Sequence, residues 1–285
     1  MKKTAISMLI IAIIAISVIP ASFSASDDSI VVTYGETAYM NQNYKSLVDD
    51  FFSSKGFDLN NVKSQVITAN DVNQISTGIS GKTYNSNQIF SSALVDLTDN
   101  GEITVEVDNT ITTISPKMYA SALKSAGITS GHVYVTSPVT ATGESALAGI
   151  MNSYEEATDV EIPETVKEAA NDEIYTEAAI VENSNVSSED LSKLVDDVKE
   201  EVKEKNITDT PTIVNIINDY STTYNINISD SDIQNLAETI AKTQSVQDDA
   251  NGYKEQINDF VDNNTSEFSF DGIFKSIMNF FHLNG

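Results

Sequence analysis

The stretch STGISGKT, Ser76 to Thr83, ends in the Gly-Lys-Thr of a phosphate-binding loop. In that loop, G-x-x-x-x-G-K-[ST], the first glycine lets the backbone curl around phosphate oxygens, and the loop joins a buried strand to a helix. Ser76 stands where the first glycine belongs, and the following YNSNQIF is polar and then strand-like. Both requirements fail, so a surface loop with two flexible glycines is the better reading. A second pairing, Ser121 and Lys124, has the S-x-x-K spacing that sets an amine beside a serine hydroxyl in penicillin-recognising enzymes. The partner motifs S-D-N and K-T-G are absent. Met118, Tyr119, Ala122 and Leu123 form the apolar stripe of the same helix, which puts Ser121 and Lys124 on the flanking, solvated face.

Other chemistries are poorly supplied. His132 and His282 are the two histidines, far apart in sequence, so a His-rich zinc site cannot be assembled. A Ser-His-Asp triad would have to use His132, which lies at the start of a strand with no elbow-type glycine motif beside it. The 42 acidic residues guarantee that carboxylates meet in space, which makes any glycosidase-like pair unspecific. DLTDNG, Asp96 to Gly101, places aspartate, asparagine and glycine near positions one, five and six of an EF-hand loop. Position three is Thr98, and position twelve is Val107 where a bidentate glutamate is needed, so that reading fails. No catalytic, cofactor-binding or metal-ligating residue is assigned, no cofactor is expected, and weak nonspecific cation binding at the acidic surface stays open.

Composition narrows the partners. All 16 basic residues are lysines and stand against the 42 acids, for a formal charge of -26. Phosphate backbones select basic patches and the guanidinium fork, so nucleic acid is not an expected partner. The absence of cysteine removes thiol catalysis and thiolate metal sites. The opening MKKTAISMLIIAIIAISVIPASFSAS has a lysine pair, an apolar run from Ala5 to Ile19, Pro20 and then small residues, the three parts of a secretory signal peptide with cleavage near Ser24. A retained N-terminal anchor is the competing reading, although the run is short of the roughly 20 residues a bilayer span needs. Either way the expected location is secreted or envelope-associated, outside the cytoplasm.

The elements that would position these residues follow from periodicity and punctuation. Ile30 to Tyr34 reads as a strand closed by Gly35, Tyr44 to Phe52 as a helix ended by Gly56, and Val66-Ile67 as a short strand. Ile89 to Leu97, the turn TDNG and the alternating Ile103, Val105 and Val107 predict a hairpin, because Asn-Gly accepts positive φ. Ile111 to Ile114 adds a further extended segment. Ser115 caps a helix with Pro116 at its first position, Gly127 ends it, and Val133 to Thr136 is a strand. Helices follow from near Gly143, from Pro163 to Val181, from Ser187 with Asp190 as a capping box, from Pro211, and from Ser229 with a break near Asn251-Gly252. The expected fold is α+β: a signal peptide over 1–25, a mixed helix/sheet N-terminal domain over 27–182, and an all-helical bundle region over 186–285. Five Asn-x-Ser/Thr sequons, at Asn185, Asn206, Asn227, Asn263 and Asn264, lie in the helical half. The closing FSFDGIFKSIMNFFHL is amphipathic, too short to span a bilayer and carries Lys275 alone on its polar face. Docking on the protein's own core is therefore favoured over membrane contact.

One passage carries a family resemblance. NTITTISPKMYASALKSAGITSGHVYVTSPVTATGESALAGIMNSYEEAT resembles the YpuA-like family of exported proteins, a domain of unknown function. The matching pattern is a strand reading like NIT, then MYANAL..AG, a strand, a proline and SGTAALTGI..AYE. Tyr119, Gly127, Pro138, Gly143, Gly149 and Tyr154 carry that pattern here without an assigned role. The family pattern has asparagine where this chain has Ser121, which further weakens the S-x-x-K reading. The segment GETAYMNQNYKS departs from the family's leucine and acidic helix start. The function expected from these features is that of an exported, non-catalytic component of the cell envelope or cell surface, structural or binding an envelope component of unidentified chemistry. A hydrolase of envelope polymers using a carboxylate pair is the alternative.

Overall fold

The computed structural model describes residues 27–76, 82–98 and 101–267. The expected leader, the amphipathic C-terminal run, His282 and the centre of the glycine-lysine loop therefore lie outside the described residues. Five strands form one mixed sheet: β1 (Asp27–Gly35), β2 (Val62–Ile67), β3 (Ser92–Asp96), β4 (Thr104–Val107) and β5 (His132–Thr136). Their order is β2-β1-β3-β5-β4, with β1/β2 and β4/β5 parallel and β3 antiparallel to both β1 and β5. The two parallel pairs each require a crossover. The first crossover is α1 (Glu36–Met40) with α2 (Gln42–Ser54), and the second is α4 (Pro116–Ser125). Between β2 and β3 lies α3 (Ala69–Ser76), a helix that the sequence did not announce.

Strand alternation divides the sheet into two buried faces. Val31, Ala93, Val95, Val133 and Val135 face α4 and α5 (Glu144–Thr158) in the larger core. Val32, Tyr34 and Leu94 face α2 through Val48 and Phe52. Asn41 caps α2 by accepting from the backbone N–H groups of Asn43 and Tyr44, and Gly56 follows its end at φ 99°.

The predicted hairpin is not formed. β3 and β4 run in opposite directions as a hairpin would, but β5 is inserted between them. β3 is buried on both faces, which demands a partner on each edge, whereas β4 alternates exposed and half-buried residues and suits the sheet's outer edge. β5 therefore pairs with β3 over five residues and takes β4 on its other edge, with α4 crossing between β4 and β5. Ile111 to Ile114 is likewise not a strand, and contributes a single bridge from Ile111 to Ala141.

Helices make up the remainder: α6 (Glu164–Asn183), α7 (Ser188–Glu204), α8 (Thr210–Tyr224), α9 (Asp230–Ser245) and α10 (Gln247–Glu267). The fold is thus α+β, with the sheet in the N-terminal part and helices after it. Ser187, Asp209 and Ser229 cap α7, α8 and α9 through their side-chain oxygens. Leu194, Val198, Ile213, Ile217, Leu236 and Ile240 pack these three helices around a second core. The break expected at Asn251-Gly252 falls instead at Val246, the C-cap of α9. Gly252 sits in open space on the exposed side of α10, where a helix tolerates glycine for about 1 kcal/mol. α10 leaves the bundle and sets Ala250, Tyr253 and Ile257 into the larger core beside the sheet.

Candidate functional site

A cleft of about 440 Å³ opens where α4 meets α7 and α9. Ser121 and Ser125 stand one turn apart on α4, and Asp196, Lys199 and Lys203 line up on α7 at the spacing of one helix face. On α7 this polar row runs beside the apolar stripe that packs into the bundle, so it is turned toward α4. Ser192 continues the row inward, its hydroxyl 3.2 Å from that of the α4 cap Ser115. From α9, Thr243 closes the third side.

Beneath the cleft, Lys199 organises a polar circuit. Its Nζ donates to Glu173 Oε1 at 2.5 Å, Ser125 Oγ at 2.6 Å, Ser121 Oγ at 2.8 Å and the Ser121 carbonyl at 3.2 Å. Ser125 in turn donates to Glu173 Oε2 at 2.7 Å, and Ser121 donates to Asp196 Oδ1 at 2.7 Å. Glu173 is fully buried, so the Lys199 charge is what makes its burial tolerable. One turn further along α6, Glu177 is also fully buried, and neither of its carboxyl oxygens has a hydrogen-bond partner among the described residues. Burial, reinforced by the Glu173 charge and only partly opposed by Lys199, raises its pKa well above the ordinary carboxyl value.

This arrangement corrects the sequence reading of α4. Ser121 is buried, 3% exposed, not solvated, because α7 lies across the flank of α4 that the apolar stripe left open. Its lysine is Lys199 from α7, whereas Lys124 is exposed and pairs with Glu102 at 3.3 Å. A Ser-Lys mechanism needs a neutral amine to take the serine proton. Here the amine is in an ion pair, and both serine hydroxyls already donate to carboxylates. The pair also sits toward the C-terminal end of α4, where the helix presents partial negative charge and no free N–H groups to an oxyanion. Recognition of a polar ligand fits these groups better than nucleophilic attack.

The other sequence candidates are scattered. Lys82, at the end of the glycine-lysine loop, pairs with Glu144 at 2.9 Å and Glu182 at 3.7 Å, and the segment before that loop is helix α3, not a strand. His132 opens β5 with Nδ1 2.6 Å from Thr104 Oγ1 on the neighbouring strand. Asp96 turns its carboxylate onto the backbone N–H and hydroxyl of Thr98.

The six residues of the family pattern do not line the cleft; they lock the helices around it. Tyr119 and Tyr154 are fully buried, which pushes both phenols well above their usual pKa, and they donate to the carbonyls of Gly143 at 2.6 Å and Ser130 at 2.7 Å. A Cβ on Gly143 would lie 2.7 Å from the Tyr119 hydroxyl, at a φ of +111°. At Gly149 α5 lies so close to β1 that an added Cβ would stand 3.1 Å from the Thr33 methyl, Gly127 turns the chain after α4, and Pro138 follows β5 in a half-buried loop.

A family described as "Protein of unknown function (DUF1002)" matches residues 34–260, most of the chain and all of this architecture from the end of β1 into α10. The chain belongs to that family. Over 272 residues it is 27% identical to "Uncharacterized protein YpuA" of Bacillus subtilis (strain 168), covering 92% of this chain and 91% of that protein. No solved structure matches. The expected YpuA-like membership therefore holds, and the family's own description leaves the role of the cleft to be argued from its residues.

The cleft residues left a signal in the sequence that the motif search passed over. Glu173 and Glu177 occupy positions of the α6 stripe that continues Val166 and Ala170, and two glutamates on an apolar face need a counter-charge or a proton. The row Ser192, Asp196, Lys199 and Lys203 on α7 is its complement.

Proposed function

We propose that this chain is an exported, non-catalytic component of the cell envelope or cell surface that holds a polar ligand in the cleft between α4, α7 and α9. Export is supported by the leader at residues 1–25. Binding rather than turnover is supported by one observation above all: Lys199 and both serines on the cleft wall are committed to Glu173 and Asp196, which leaves a rigid polar surface and neither serine hydroxyl paired with a base free to activate it. Such a wall is preorganised, so a ligand meeting it gives up little of its affinity to ordering side chains.

Hydrolysis by a carboxylate pair draws on a different feature, the raised pKa of Glu177 beside the ion-paired Glu173. Both carboxyls are completely enclosed, however, and a polymer cannot reach them. Incubation of the purified protein with wall-derived glycans and peptides is expected to give saturable binding by calorimetry and no released product. Product formation that Glu173→Gln abolishes, with the fold intact by circular dichroism, would replace this reading with the hydrolase.

A further inference from the structure

We infer that the ligand of the cleft is a short peptide with a free carboxylate and a primary ammonium, its carboxylate held at Lys203 and its backbone at Thr243. This rests on the binding reading above and adds the chemical class. Thr243 supplies the first indication: its side chain is 4% exposed, its hydroxyl has no hydrogen-bond partner among the described residues, and it lines the cleft. A buried hydroxyl left unpaired is unfavourable by about 1–3 kcal/mol, and a ligand group with acceptor or donor capacity relieves it.

The charges narrow the class. Three of the chain's lysines, Lys124, Lys199 and Lys203, converge on this one cleft in a protein where acids outnumber bases 42 to 16. Lys199 is neutralised by Glu173, and Lys124 is held loosely by a Glu102 that is 80% exposed. Lys203 has no carboxylate within ion-pair distance among the described residues, and is exposed on the rim. An anionic group on the ligand is therefore locally favoured. The field of a -26 chain repels a ligand of net negative charge, which selects one that carries a compensating cation. Asp196 and Glu200, exposed on the same wall of α7, complement that cation.

Two other classes fit less well. No aromatic side chain among the described residues lines the cleft, so a sugar ring finds no stacking platform there. Val202 and Ile240 are the aliphatic side chains among the described lining residues and stand among lysines and acids, whereas Gln244 and Gln247 offer primary amides of the kind that pair with peptide groups.

Calorimetry on the purified chain with the tripeptide Ala-Lys-Ala, its C-terminal amide, a trimer of N-acetylglucosamine and inorganic phosphate tests this directly. The free tripeptide is expected to bind, with affinity falling about tenfold on C-terminal amidation and about tenfold in Lys203→Gln, an exposed substitution that leaves the fold unchanged. The amidated peptide should be indifferent to Lys203→Gln, because the two changes remove the same contact. Thr243→Val should weaken the free peptide several-fold. Tripeptide binding that ignores both amidation and Lys203→Gln overturns the inference. Binding of the sugar trimer or phosphate without the peptide also overturns it while leaving the cleft-binding reading in place, and the absence of binding by every probe defeats both.

Discussion

Glu177 is a buried carboxyl group with neither oxygen paired among the described residues, one helical turn from a second buried glutamate. Its raised pKa makes it a source of pH-dependent stability, and the sign is fixed by the direction of the shift. The folded protein keeps a proton that the unfolded chain releases above an ordinary carboxyl value of about 4.5. The group's contribution is therefore complete below that value and is lost as pH climbs toward the raised one, at about 1.4 kcal/mol per pH unit. Glu177→Gln keeps the volume and removes the titration. Urea midpoints should coincide with those of the parent near pH 4 and exceed them increasingly as the pH rises above it; identical curves would mean that Glu177 is ionised in the fold. Lys199→Met should act in the opposite sense, lowering stability by about 3–5 kcal/mol at neutral pH because Glu173 is then buried without its counter-charge. Double substitution with Glu173→Gln should restore most of that loss, a recovery that simple loss of packing would not show.

At the scale of elements, the most constrained junction is between the end of α4 and the start of α10. Gly127 has φ +81°, and a Cβ there would lie 2.1 Å from the carbonyl oxygen of Ala250. Gly127→Ala must strain the backbone by about 1–3 kcal/mol and push α10 off the larger core as well. Amide exchange across 247–257 should accelerate in this variant while that of α8 stays unchanged, since α8 belongs to the second core. Elements of this kind were partly legible in the sequence. Capping and punctuation located α4, α7, α8 and α9 closely, because Ser115, Ser187 and Ser229 act through local hydrogen bonds and Pro211 presets the backbone of the first turn of α8. Sheet order was not legible, since the TDNG turn signal is local whereas the insertion of β5 between β3 and β4 is decided by which strand can be buried on both faces. The cleft was hidden for the same reason: Ser121 meets Lys199 across 78 residues, and the nearer Lys124 supplied the false partner.

For the whole molecule, the charge distribution sets how the fold responds to salt. Most of the ion pairs are exposed or half-exposed, such as Lys117 with Glu189 and Lys205 with Glu201, and pairs of that kind contribute between about 0 and 1 kcal/mol. The excess of acidic groups, by contrast, acts over the full surface of a -26 chain whenever the Debye length is comparable to its radius. That length falls from about 30 Å at 0.01 M to about 10 Å at 0.1 M salt. Screening should remove repulsion faster than it removes the weak surface attractions, and it barely touches the enclosed Lys199–Glu173 pair. Thermal unfolding between 0.01 and 0.5 M NaCl should therefore move the midpoint upward by several degrees, with most of the rise complete by about 0.1 M. The Lys199→Met variant should show the same increment from its lower starting point, because the buried pair and the surface field are separable. A midpoint that falls with salt would instead mean that the surface pairs form a network worth more than the repulsion they sit in, and the exclusion of net-anionic ligands from the cleft would lose its electrostatic basis.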